Sequence, residues 1–270
     1  MPTEITVRAF DDSELANVPR AWLAGDPVAT AISNGVSMLF PWGERFFVRS
    51  VKHFTTQIDD PVLRAQIKAF FGQEGRHAKA HDDFNGILRA QGYQVDQFLD
   101  TYARLSAWIE NVAPPKLRLA TTAACEHFTA ILAAGAFTAG LLDDADPRMQ
   151  KLMAWHAAEE IEHKAVAYDV LQTIDPSYAL RVAGLALATA LLGGFWIAAA
   201  ATLLRQDGYT LGGAARHMRQ LRQRDPIIKR VFARGIRKYL RRDFHPNHTD
   251  DARLATDWLA ARGMALPEAA

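Results

Sequence analysis

Along most of the 270-residue chain, apolar side chains recur every three or four positions, and period-two alternation is scarce. That pattern predicts helices and gives no strand signal. Turn residues punctuate it. Asp59-Asp60-Pro61 supplies an N-cap and a proline at the first helical position. "GDP" (25–27) and "PWGE" (41–44) interrupt or start the first helix, "QGYQVD" (91–96) closes a long one, and "APP" (113–115), "DDADP" (143–147) and "DPS" (175–177) open others. The helices expected from these signals run at about 41–57, 61–90, 96–111, 115–142, 147–173, 177–205 and 214–241. Several exceed four turns and the loops are short, so an all-α antiparallel bundle follows. No fixed-period repeat or low-complexity linker divides the chain. Residues 1–175 are read as the bundle with an N-terminal extension. Residues 176–270 are read as an apolar helix and basic C-terminal helices packed with it as one domain.

Composition changes this picture in two places. Residues 182–204, "VAGLALATALLGGFWIAAAATLL", carry no charge, and residues 205–242 hold twelve Lys or Arg against two Asp. The formal net charge of the whole chain is only +1, so near-neutrality conceals a polarised molecule. The apolar run is long enough to span hydrocarbon. Three placements compete for it, in this order: a buried or homodimer-interface helix, contact with a membrane surface, and a full span. The basic run has apolar residues at helical spacing and few aromatics for stacking on bases. Lipid phosphates or an acidic protein face therefore suit it better, and nucleic acid is not an expected partner. The single cysteine, Cys125, excludes an internal disulfide and a Cys-rich zinc site. The acidic, apolar-poor N-terminus does not read as a secretory signal. The expected location is cytoplasmic, with attachment to the inner face of the membrane as the variant.

The chemistry concentrates in "AWHAAEEIEHK", residues 154–164. On a helix advancing about 100° per residue, Glu160 lies about 40° and His163 about 20° from His156, on one narrow face. Glu159 lies at its edge, and Glu162 points away toward solvent or a basic partner. Ionisable groups aimed into a core are costly unless paired or ligated. A second helix repeats the device with Glu74-x-x-His77, and His81 follows one turn later. Glu44 and Glu126 each stand on a further helix in apolar or aromatic company. A Glu from each of two helices and a Glu-x-x-His from each of two others is the ligand pattern of a di-metal carboxylate bundle. Carboxylates can bridge two cations while imidazoles hold one each, a mixture suited to iron or manganese.

The segments "GERFFVRSV", "GQEGRHAKAH" and "WHAAEEIEHKAVAYDV" resemble the bacterial family described as predicted metal-dependent hydrolases, and more broadly the ferritin-like di-iron superfamily. His156-x-x-x-Glu160-x-x-His163 is similar to the pattern of the p-aminobenzoate N-oxygenase type of arylamine oxygenase. The resemblance implies a ferritin-like four-helix bundle with additional C-terminal helices. It implies seven ligands: Glu44, Glu74, His77, Glu126, His156, Glu160 and His163. They would hold two metal ions, iron first, with manganese or zinc as alternatives. His81 departs from the pattern and is expected to donate to a ligand carboxylate from behind, with an eighth ligand as the alternative, and Glu159 is expected to support a ligand likewise or to pair with a basic group within the bundle. The implied activity is O2-dependent oxidation of a small, lipid-like or arylamine substrate, with an electron donor as partner. The alternative is hydrolysis by a metal-bridging water. A third reading is a non-catalytic membrane- or partner-binding module with structural metals. His53, His127, His217, His245 and His248 are not expected to be ligands, and Cys125 reads as a small buried hydrophobe.

Overall fold

A computed structural model describes residues 5–11, 13, 15–224 and 227–262. Among these residues the regular structure is helical, apart from one isolated bridge between Leu23 and Ala145. The helices are α1 (Pro27–Ser37), α2 (Phe40–Lys52), α3 (Pro61–Ala90), α4 (Asp96–Val112), α5 (Pro115–Thr138), α6 (Pro147–His163), α7 (Val166–Ile174), α8 (Tyr178–Gln206), α9 (Leu211–Arg224), α10 (Ile227–Tyr239) and α11 (Ala252–Ala260). The expected all-α class is observed. Helix starts follow the sequence signals closely: Asp26, Asp60 and Asp146 cap α1, α3 and α6, each followed by a proline at the start of the helix.

Several boundaries differ from expectation. The expected 147–173 helix is two helices, α6 and α7, broken at Lys164-Ala165. Apolar periodicity continues through that break, so the local pattern does not reveal it. A tertiary contact accompanies it: the buried Lys164 ammonium donates to the Thr249 carbonyl at 2.9 Å and pairs with buried Asp251. The expected 41–57 helix ends at Lys52 and is followed by a 3-10 turn, Thr55–Gln57. The expected 214–241 helix is α9 and α10, and Asp225-Pro226 between them lies outside the described residues. Helices α1 and α11 are additional to the expected set.

Four elements bring the chemistry together. Helices α2 and α3 pack against each other, α5 packs on α2 and α6, and α3 packs on α6. A core of Phe47, Phe70, Leu119, Phe128, Val166 and Leu171 lies on one side, and one of Met38, Phe84, Leu88, Leu152 and Trp155 on the other. Helix α8 lies along α5 and α1. Its approach depends on glycines at two crossings. A Cβ on Gly184 would fall 2.4 Å from the Ala120 carbonyl, and one on Gly35 of α1 would fall 3.0 Å from the Ala200 nitrogen. By length and composition alone α8 could cross a membrane. One of its faces is nevertheless committed to the bundle, while Ala183, Ala186, Ala190, Gly194, Ile197 and Ala198 face outward.

Candidate metal centre

The helix starts set the register that points each group inward. From α2 comes Glu44, from α3 Glu74 and His77, from α5 Glu126, and from α6 His156, Glu160 and His163. All seven are at most 3% exposed. Their ligand atoms converge. His163 Nε2 lies 3.1 Å from Glu74, 3.3 Å from Glu126 and 3.5 Å from Glu160. His156 Nε2 lies 3.0 Å from Glu160 Oε1 and 3.6 Å from Glu44 Oε1, and His77 Nδ1 lies 3.6 Å from Glu160 Oε1. Three overlapping sets could each hold a metal ion: Glu44, His77 and His156; Glu74, His77 and Glu160; Glu74, Glu126 and His163. Within each set the ligand atoms lie within 4.8 Å of one another.

The orphaned atoms show whether cations fit. Both carboxylate oxygens of Glu44, Glu74 and Glu126, Glu160 Oε2, His77 Nδ1 and His163 Nε2 are buried without a partner in hydrogen-bond geometry. Burying so many unsatisfied polar atoms in one place is very costly, and cations at their focus would satisfy them together. The donor set, four carboxylates and three imidazoles, suits divalent iron, manganese or zinc.

Behind these atoms a tier of hydrogen bonds fixes the imidazoles. His81 Nε2 lies 2.7 Å from His156 Nδ1, and His81 Nδ1 lies 2.7 Å from the Ser37 hydroxyl. His81 thus supports the imidazole of His156 and not the carboxylate expected, leaving His156 Nε2 directed at Glu44 and Glu160. Glu159 Oε2 lies 3.0 Å from His77 Nε2, which turns His77 Nδ1 toward the carboxylates. Gln73 Oε1 lies 2.8 Å from His163 Nδ1. Partners of this kind orient a ligating imidazole and choose its tautomer.

The sequence pattern did not reveal Ser37, Gln73 or Arg8. Gln73 is adjacent to Glu74 and carries no signature of its own. Arg8 belongs to the aperiodic N-terminal extension. Its guanidinium donates to both oxygens of Glu162 at 2.8 Å and to Glu159 at 3.2 Å. Glu162, expected in solvent or beside a basic group, has the basic group. The Gln73 amide also donates to Glu162, at 2.9 Å. The remaining histidines lie elsewhere: His53 is exposed, His127 bonds to the Gly235 carbonyl, His217 to Asp26, and His245 to Asp169.

Electrostatics follow from burial and crowding. Burial, reinforced by neighbouring carboxylates, holds Glu44 and Glu74 well above the ordinary carboxylate range and pushes Glu126 up to about 7. Burial and then His156 depress both His77 and His81. Burial opposes the shifts of Glu160, held low chiefly by His163, and of His163, held high chiefly by Glu160. Because Glu126 moves from 4.5 to about 7, the metal-free fold takes up protons relative to the unfolded chain between those values. Its stability therefore falls as pH rises through that window. Metal binding needs the deprotonated ligands, so it strengthens across the same window. Metal titrations at pH 6 and pH 8 should give tighter binding and a larger rise in Tm at pH 8. Equal affinity at both would contradict this account.

The family model described as "Predicted metal-dependent hydrolase" matches residues 6–250, nearly the whole chain. The chain belongs to this family. No curated protein and no solved structure matches it. Family membership and the buried His/Glu sets agree on a metal-dependent enzyme. The family description names hydrolysis, which the sequence placed second, and gives no support to the finer likeness to arylamine oxygenases.

Proposed function

We propose that this family member holds two metal ions, iron by preference, and uses them with O2 to oxidise an apolar organic substrate. One observation carries the reading: the seven donors are buried, and the one that lines a neighbouring cavity, Glu44, meets walls that are mostly apolar. When bound, the ions would supply a reactive oxygen species from O2, or a water of lowered pKa. The chain's contribution is to hold His77, His156 and His163 in fixed tautomers, exclude bulk water, and present substrate beside Glu44. An apolar wall limits the side reactions of a strong oxidant. Oxidation also needs an external electron donor.

The family description favours a second reading, hydrolysis of an ester or a similar bond. The two readings separate experimentally. Metal content would be measured on protein from iron-supplemented cells, followed by O2 uptake with a reductant and by ester cleavage without O2. About two irons per chain with O2 uptake supports oxidation. Turnover without O2, retained with manganese or zinc, would replace it with hydrolysis. Protein that binds no metal would sink both.

A further inference from the structure

A cavity of about 70 Å³, open to solvent at its mouth, is bounded by α2, α4, α5 and α8. Its depth can be read from burial. The inner wall, Leu39, Glu44, Phe47, Cys125 and Thr129, is at most 9% exposed. The opposite wall, Tyr102, Ser106 and Ile109 of α4 with Leu191, Leu192 and Phe195 of α8, is only partly buried. Phe40, Gly43 and Phe46 of α2 are also only partly buried, so the mouth lies between α4 and α8 beside α2. Outward-facing apolar residues stand on the same two helices: Leu105 and Trp108, 59% exposed, on α4, and Ile197, 73% exposed, on α8.

The lining chemistry is selective. Glu44 is its one charged residue, and no Lys, Arg or His contributes to the wall. The other polar groups are the hydroxyls of Tyr102, Ser106, Thr121 and Thr129 and the Cys125 thiol. The Tyr102 hydroxyl lies beside the backbone next to Glu44, because a Cβ on Gly43 would be 3.4 Å from it. With two dications bound, the four carboxylates of the site already balance their charge and the wall adds no cation, so an anionic head group would enter uncompensated, at a large desolvation cost. A neutral molecule would bury its chain against Leu, Ile and Phe and offer its single polar group to Tyr102.

We infer that this cavity is the substrate site, and that it takes an uncharged molecule with a hydrocarbon chain or ring and one hydrogen-bonding group, held with that group beside Glu44. The inference rests on the two-metal reading for its meaning in catalysis, but the binding site can fail or stand by itself. Tyr102 acts here as a positioning residue for the ligand's polar end.

The test uses the full metal-loaded chain and two probes, n-decanol and decanoate, titrated by calorimetry at pH 8. Decanol is expected to bind, and decanoate at least about tenfold more weakly, the factor corresponding to ~1.4 kcal/mol. Ile109→Trp and Leu191→Trp narrow the mouth without touching a ligand and should each weaken decanol at least tenfold with metal content unchanged. Val62→Trp, at an exposed site away from the cavity, should leave binding unchanged. If a mouth variant fails to fold, the other and the alcohol-to-acid ratio still decide. Equal binding of the two probes, or decanol binding indifferent to both mouth variants, would overturn the inference. Blockable decanol binding by a chain that holds no metal would preserve the cavity site and defeat the two-metal reading instead.

Discussion

Glu126→Gln is expected to raise the Tm of the metal-free protein at pH 8 and, in the same molecule, to weaken metal binding by about 100-fold or more. The two effects have one cause. Glu126 is fully buried on α5, with His163 Nε2 at 3.3 Å but neither oxygen in a hydrogen bond, and its pKa is pushed up to about 7 by burial. Above that pH the metal-free fold must keep a desolvated carboxylate beside Glu74 and Glu160. A shift from 4.5 to about 7 corresponds to about 3 kcal/mol of destabilisation at most. Glutamine has nearly the same shape and no charge, so it removes that burden without opening a cavity. It also removes an anionic ligand, a larger loss than the roughly 10- to 100-fold reported when a supporting partner is removed. Melting curves with and without metal, at pH 8, check both signs. A variant less stable than the parent when metal-free, or one that binds metal normally, contradicts the site.

The second large effect concerns Arg8. Replacing it by methionine should lower stability by about 3–5 kcal/mol and weaken metal binding by about 10- to 100-fold. The Arg8 side chain is 9% exposed and its partners Glu159 and Glu162 are 0% and 9% exposed. Removing the guanidinium leaves two nearly buried carboxylates facing each other. Glu159 is already raised to about 7 by burial, with Arg8 pulling it down, so loss of Arg8 drives it toward the protonated form. A protonated Glu159 accepts more weakly from the His77 Nε2–H, which loosens the contact that aims Nδ1 at the carboxylates. Gln73, bonded both to Glu162 and to His163, is loosened with it. Arg8→Lys keeps the charge and loses the fork, so it should lie between parent and methionine variant. Denaturant unfolding combined with metal titration distinguishes this network from a merely exposed arm, for which neither quantity would change.

The chain's local pattern was enough for the class of fold and for the positions of the inward-facing chemistry. Three-to-four-residue periodicity, with Asp and Pro at helix starts, determined an all-α molecule because capping and amphipathicity act within a few residues. The spacing His156, Glu160, His163 determined a common helix face because helical pitch is a local constant. Helix breaks and supporting contacts were decided at longer range. The helix stop at His163 coincides with Lys164 meeting Thr249 and Asp251, more than eighty positions away. The pairing of Arg8 with Glu159 and Glu162 joins residues about 150 positions apart, and no periodicity encodes it. The apolar run 182–204 shows the division most plainly. Its composition determined a long uncharged helix. Only the packing of Gly184 on Ala120 and of Gly35 on Ala200 decided which face meets the bundle, because close approach of two backbones is a property of both helices and is written in neither alone.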